Sequence, residues 1–162
     1  MYKKDKKVPK GSHRMPDGSI MKDSDMKKKD KKVPKKYVGT LKGKEKEAQI
    51  KSIKEGTIRP KTSQPQRRST WTVKFDKKYG KEIDAMKGGR SKKNIAKITG
   101  IPFKAIDEVF KKGEGAYRSS GSRPNQTPQS WAQARVYSYV LGGAARKSDK
   151  SITEKYNVKF PK

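Results

Sequence analysis

The chain has 162 residues, with 44 Lys and Arg against 16 Asp and Glu and a formal net charge of +28. So large an imbalance excludes a protein that works without an anionic partner or an acidic protein surface beside it. The lack of cysteine excludes disulfides, thiolate metal sites and a cysteine nucleophile. No apolar run follows Met1 as a secretory leader would, and no segment approaches the roughly 18–20 apolar residues of a membrane span. The chain is therefore expected to be soluble or embedded in an assembly. Its large apolar side chains concentrate after Trp71, which predicts a mainly α chain: a small helical domain over 71–162 behind a long, extended, low-complexity basic arm over 1–43, with a short helix at 44–56 and a linker at 57–70 between them.

Within the arm, the run KDKKVPK at 4–10 recurs unchanged at 29–35. Either it is a local duplication, or Lys4, Lys6, Lys7, Val8 and Pro9 and their counterparts Lys29, Lys31, Lys32, Val33 and Pro34 are two copies of a docking peptide for a repetitive partner. Val-Pro favours extended backbone in both copies. Between the copies, Pro16, Asp17 and Gly18 spell a turn. Ile20, Met21 and Met26 after it are either anchors for a hydrophobic groove or scattered apolar residues. Asp23 and Asp25 lack the remaining ligands of a calcium loop.

Residues 44–55 read as a helix whose apolar positions are Ala48, Ile50 and Ile53, closed by Gly56. So narrow a stripe needs something to pack on. The 57–70 stretch carries Pro60, Pro65, Arg67 and Arg68. Trp71, Val73 and Phe75 alternate with polar residues as in a strand or an extended clamp, and 81–86 predicts one helical turn. Ser91 then caps a helix to about Thr99. After Gly100 and Ile101, Pro102 opens a second helix to about Lys112, with Phe103, Ile106, Val109 and Phe110 at helical spacing. This pair is read as a plain helical hairpin rather than a DNA-reading helix-turn-helix, since Asp107 and Glu108 on the second helix would repel phosphate.

A loop is predicted over 113–127, ended by the helix-start pair Thr127 and Pro128. The helix from 128 to 141 is apolar around most of its circumference, as a central helix should be, and Gly142 and Gly143 stop it. Ser148 or Asp149 is expected to cap a last short helix through Tyr156, with Asn157 as the stop. Val158 and Phe160 either fold back on the core or enter a neighbouring subunit.

Arg118, Ser119, Ser120, Arg123 and Asn125 in the 113–127 loop suit a phosphate or carboxylate, through guanidinium forks, hydroxyls and backbone N–H groups. The competing reading ties Arg118, Arg123 and Arg135 to carbonyls and carboxylates within the fold, because such a loop needs internal hydrogen bonds to stay ordered. No catalytic role is expected: His13, the one histidine, has no partner implied by spacing, and no phosphate-loop pattern occurs. No metal site, cofactor or small-molecule substrate is expected.

The run YRSSGSRPNQTPQSWAQAR at 117–135 resembles a signature of small basic proteins encoded by large double-stranded DNA viruses of algae and other protists and by some bacteriophages. A weaker likeness runs through IAKITGIP at 95–102. The resemblance implies a viral origin and a structural role in the virion, as a minor capsid protein inside the capsid, passing through host cytoplasm or virus factory during assembly. Other capsid proteins are the expected partners, with viral DNA as a further one. A protein that packs DNA without reading sequence, or a ribosomal protein, would share the composition.

Overall fold

The computed structural model describes Lys10, residues 12–14 and 20–22, and residues 32–162. Outside the described residues lie the first repeat copy up to Pro9, Lys29 and Lys31 of the second, the Pro16 turn, Met26, Asp23 and Asp25. The earliest described elements are two three-residue antiparallel strands, β1 (Ser12–Arg14) and β2 (Ile20–Lys22). Seven α-helices follow among the described residues: α1 (Gly43–Glu55), α2 (Thr70–Ala85), α3 (Lys92–Thr99), α4 (Phe103–Ser120), α5 (Pro128–Val140), α6 (Ala144–Ser148) and α7 (Lys150–Lys155). The fold is mainly helical, and no helix is long and apolar enough to cross a membrane among the described residues.

The central helix is α5. Thr127 and Ser130 exchange side-chain bonds with each other's backbone N–H, a capping box ahead of Pro128 at the helix start. Ala132, Val136, Tyr137, Tyr139 and Val140 are all buried, and α2, α4 and α6 pack around them. Phe75 of α2 stacks on Tyr137 with ring centroids 4.0 Å apart.

Two expectations are corrected here. The alternation at 71–75 is not a strand: Ser69 accepts from the Thr72 backbone N–H, and α2 runs from Thr70. Trp71, Phe75, Tyr79 and Ile83 recur every four residues along its inner face, while Val73 is 52% exposed. A five-residue window could not separate the two periods. Nor does a loop begin at 113, for α4 continues through Gly113 and Gly115 to Ser120. At the crossing with α5, a Cβ on Gly113 would lie 2.6 Å from the Ala132 Cα, so the glycine is there for close approach and not for a turn.

Asp149 stands at the N-cap position of the last helix, but its side chain makes no capping bond. It is fully buried between α6 and α7, where it accepts from Arg135 Nε at 3.0 Å and Nη2 at 2.9 Å. The tail folds back: Val158 is buried, and Phe160 packs edge-on to Tyr139 under the Arg146 guanidinium. Asp107 bonds Lys92 and Lys111, and Glu108 bonds Lys155 and the Tyr156 hydroxyl, so these two carboxylates tie α4 to neighbouring helices or along itself.

Two glycines one half-turn apart are expected to respond oppositely. Gly113→Ala overpacks the α4–α5 crossing and should cost about 1–3 kcal/mol. Gly115→Ala meets nothing within 4 Å and should gain up to about 1 kcal/mol of helix propensity. Thermal melts of both variants check this, and a common direction of shift would contradict the close crossing. A second expectation concerns acid. The hydrogen bonds from Lys111 and Lys92 hold the Asp107 carboxyl below its ordinary value. Its contribution is thus present above the unfolded value of about 3.9 and lost as pH falls through the depressed folded one. Urea titrations of Asp107→Asn should show a smaller drop from neutral to acid pH than those of the parent.

Candidate functional site

Residues 32–69 form a strap laid over the end of α4 and the 121–127 loop, and the residues of the 117–131 signature hold it there. At its start, Val33 and Pro34 of the second repeat copy lead into a single 3-10 turn, Lys35–Tyr37. Val33 packs against a small cluster of Tyr37, Val38 and Ile53, and Trp131 closes that cluster, its ring edge-on to Tyr37 at 5.8 Å. On α1 the buried positions are Gln49, Ser52 and Ile53, with Ile50 half-buried and Ala48 exposed, so the helix docks through a mixed face. Gln49 Nε2 donates to the Ser122 carbonyl at 3.1 Å. Gly121, at φ 90°, leaves room that a Cβ would take from Ile53, 2.9 Å away.

The principal fastening is Arg59, 5% exposed with no carboxylate among its bonds. Its Nε donates to Ser122 Oγ at 3.1 Å, Nη1 to the carbonyls of Ser52 (2.9 Å) and Thr57 (2.5 Å), and Nη2 to the carbonyl of Tyr117 (2.5 Å). The guanidinium lies over the Tyr117 ring, 4.3 Å from its centroid. Ser52, whose carbonyl also accepts from the Gly56 and Thr57 N–H groups, and Tyr117 belong to the last turns of α1 and α4, where the helix dipole is negative. One buried cation thus closes two helix ends at once. Burial pushes the Arg59 pKa down, with Tyr117 and Tyr37 acting in the other direction. The Tyr117 hydroxyl accepts from the Arg59 backbone N–H and donates to the Gln126 carbonyl, both at 2.9 Å.

Farther along, Asn125, at φ 57°, acts as a backbone mimic. Its Oδ1 accepts from the Thr62 N–H at 2.8 Å and its Nδ2 donates to the carbonyls of Thr62 and Gln64. Gln126 Nε2 donates to the Arg67 carbonyl at 3.0 Å, and Glu45 of α1 accepts from the Ser63 N–H and hydroxyl.

Between the strap and the loop opens a cleft of about 160 Å³, lined by Lys36, Thr40, Gln64, Pro65, Arg67, Arg123 and Pro124. The residues singled out in sequence as an anion site are therefore dispersed. Arg118, Ser119 and Ser120 are exposed on the last turn of α4, Arg123 lines the cleft, and Asn125 holds the strap's backbone. Arg135 is bound to Asp149 on the far side of α5. Sequence reading passed over Arg59, Gln49 and Tyr37. Arg59 looked like one more basic residue in a proline-flanked stretch, and the signal that could have marked it, polar Gln49 and Ser52 beside Ile53 on one face of α1, requires knowing which face docks.

Residues 20–157 match the profile of a family of unknown function, DUF5824. The matched span takes in the second repeat copy, the strap and all seven helices, and leaves out the first copy. No curated protein and no solved structure matches the chain.

Tyr117→Phe removes a hydroxyl that serves Arg59 and Gln126 together, and the buried groups left unpaired are expected to cost about 1–3 kcal/mol in urea unfolding. Arg59→Met should go further and release the strap. Amide exchange over 57–67 would accelerate, while α4 and α5 keep their protection. Unchanged exchange over 57–67 would show that Arg59 does not fasten the strap.

Proposed function

The chain belongs to the DUF5824 family of unknown function, and on that premise we propose that it is a structural component of a double-stranded DNA virus particle. In this reading it is a minor capsid protein, with a helical body that docks among other capsid proteins and a basic arm that runs along them or toward the packaged genome. It carries no catalysis.

One observation supports this reading above the others: the charge sits on the folded body. Residues 32–162 hold 33 Lys and Arg against 11 Asp and Glu. Most of those few carboxylates are bonded within the fold: Glu45 to Ser63, Asp76 to Arg68 and Arg90, Asp84 to Arg90, Asp107 to Lys92 and Lys111, Glu108 to Lys155, Asp149 to Arg135, Glu154 to Lys150. The outer surface is left mainly to lysine, with a few exposed glutamates such as Glu47, Glu55 and Glu82 among them. A rigid body with so one-signed a surface repels its own copies and is drawn to anionic surroundings. Lys74, Lys77 and Lys81 line one face of α2, and Lys93 and Lys97 stand exposed on α3. The signature residues support a scaffold role too, because they grip this chain's own strap. Their likeness to viral proteins points to a particle. Contact with DNA itself is a second reading, favoured by the cleft that joins Arg67 and Arg123.

Quantitative mass spectrometry of purified particles of the encoding virus, with lysine crosslinking, tests the proposal. The expected result is a fixed copy number per particle and crosslinks from the lysines of both repeat copies to capsid proteins. Absence of the chain from particles that are otherwise complete would end this reading.

A further inference from the structure

Most arginines whose side chains are described have a structural task. Arg59 closes two helix ends, Arg68 and Arg90 bind Asp76, Arg90 also binds Asp84, and Arg135 binds Asp149. Arg146 donates to the Tyr139 and Val140 carbonyls and covers the Phe160 ring. Arg118 sits on the last turn of α4. Arg67 and Arg123 differ: among the described residues neither guanidinium has a carboxylate, carbonyl or aromatic partner, and both line the same cleft as Lys36. No acidic residue lines it. Two planar forks and an ammonium line one small space with no carboxylate among its walls, the ammonium of Lys36 also lying 5.0 Å from the centroid of the Tyr37 ring.

The frame around that space is rigid although the three side chains are long. Asn125 and Gln126 fix the backbone of Gln64 and Arg67 on one wall. Tyr37, buried against Trp131, fixes Lys36 on the other. Pro65 and Pro124 add walls with restricted backbone. We propose that this cleft binds a phosphate group of a nucleic-acid backbone, with Arg67 and Arg123 gripping its non-ester oxygens from opposite walls and Lys36 as the third cation. Thr40 and Gln64 supply further donors, and the two proline rings face the sugar. A nucleic acid is favoured over an acidic protein because the cleft opens on a lysine-covered body, and the backbone phosphates of a duplex bring an evenly spaced charge to match it. The inference deepens the particle reading above and rests on it for the presence of DNA.

Fluorescence anisotropy with a short mixed-sequence DNA duplex decides it, using the full chain, a variant carrying Arg67→Ala with Arg123→Ala, and a charge-matched control carrying Lys77→Ala with Lys81→Ala on the outer face of α2. All four side chains are exposed and carry no fold contact, so thermal midpoints should stay put. The cleft pair should weaken binding at least about tenfold and lower the log–log salt slope by about 0.9, the share of the one phosphate the pair holds. The control should lose much less. Equal losses for the two pairs would overturn the cleft, as would the full chain failing to bind the duplex or preferring a polyglutamate peptide to it. None of these outcomes touches the particle reading, which stands or falls on whether the chain is found in particles.

Discussion

A guanidinium removed from water with no carboxylate beside it is one of the more costly groups a fold can hold, and the strap of this protein is built around one. Arg59 is tolerated because its counter-charge is spread over the C-terminal carbonyls of α1 and α4, the Thr57 carbonyl, a serine hydroxyl and the face of Tyr117. Those acceptors come from separate stretches of chain and converge only when α1 lies across the end of α4. Remove any one of them and the cation loses more than a single bond, because what remains is a buried charge short of acceptors. The docking of the strap is therefore cooperative, and the two halves of the molecule are joined by a requirement of solvation more than by apolar area. The apolar cluster at the joint is small, Tyr37, Val38 and Ile53 with Val33, Ile50 and Trp131 at its edge.

The same economy governs the rest of the charge. With few carboxylates to distribute, the fold places them where a cation must be held, Asp149 in the interior with Arg135 and Asp76 between Arg68 and Arg90. Exposed ion pairs contribute little, so lysines left without partners on α2 and α3 cost the isolated fold mainly through mutual repulsion, which salt screens. A body of this kind folds on its core of Phe75, Tyr137, Val136 and their neighbours and leaves much of its surface charge unpaired by its own chain.

Much of this was legible in sequence, and the misreadings have a common cause. Thr127 and Pro128, Ser91 and Asn157 declared helix boundaries because capping chemistry is local: a hydroxyl two or three residues from an orphan N–H, a proline with no N–H, an asparagine that accepts positive φ. The apolar circumference of 128–141 announced a central helix for the same reason. Where the deciding contact lay far along the chain, sequence reading failed. Gly113 looked like the start of a loop because the Ala132 backbone it accommodates is nineteen residues away. Asp149 looked like a cap because Arg135 lies a helix away. Ile50 and Ile53 were visible on α1, but the polar Gln49 and Ser52 that dock beside Ile53 were not, since a buried glutamine is recognisable only from its acceptor.

The signature at 117–131 is largely turned inward on the chain itself. Tyr117, Gly121, Ser122, Asn125, Gln126 and Trp131 each touch the strap, so a stretch rich in hydroxyls, amides and guanidinium, which looks in sequence like a ligand loop, has the strap as its principal ligand. What it leaves for an outside partner is what it does not use. Arg123 stands between residues that are bonded inward, and its neighbour across the cleft, Arg67, is held in place by a bond to its carbonyl that leaves its side chain unengaged. Val33 of the second copy of the arm repeat is built into the strap's apolar cluster.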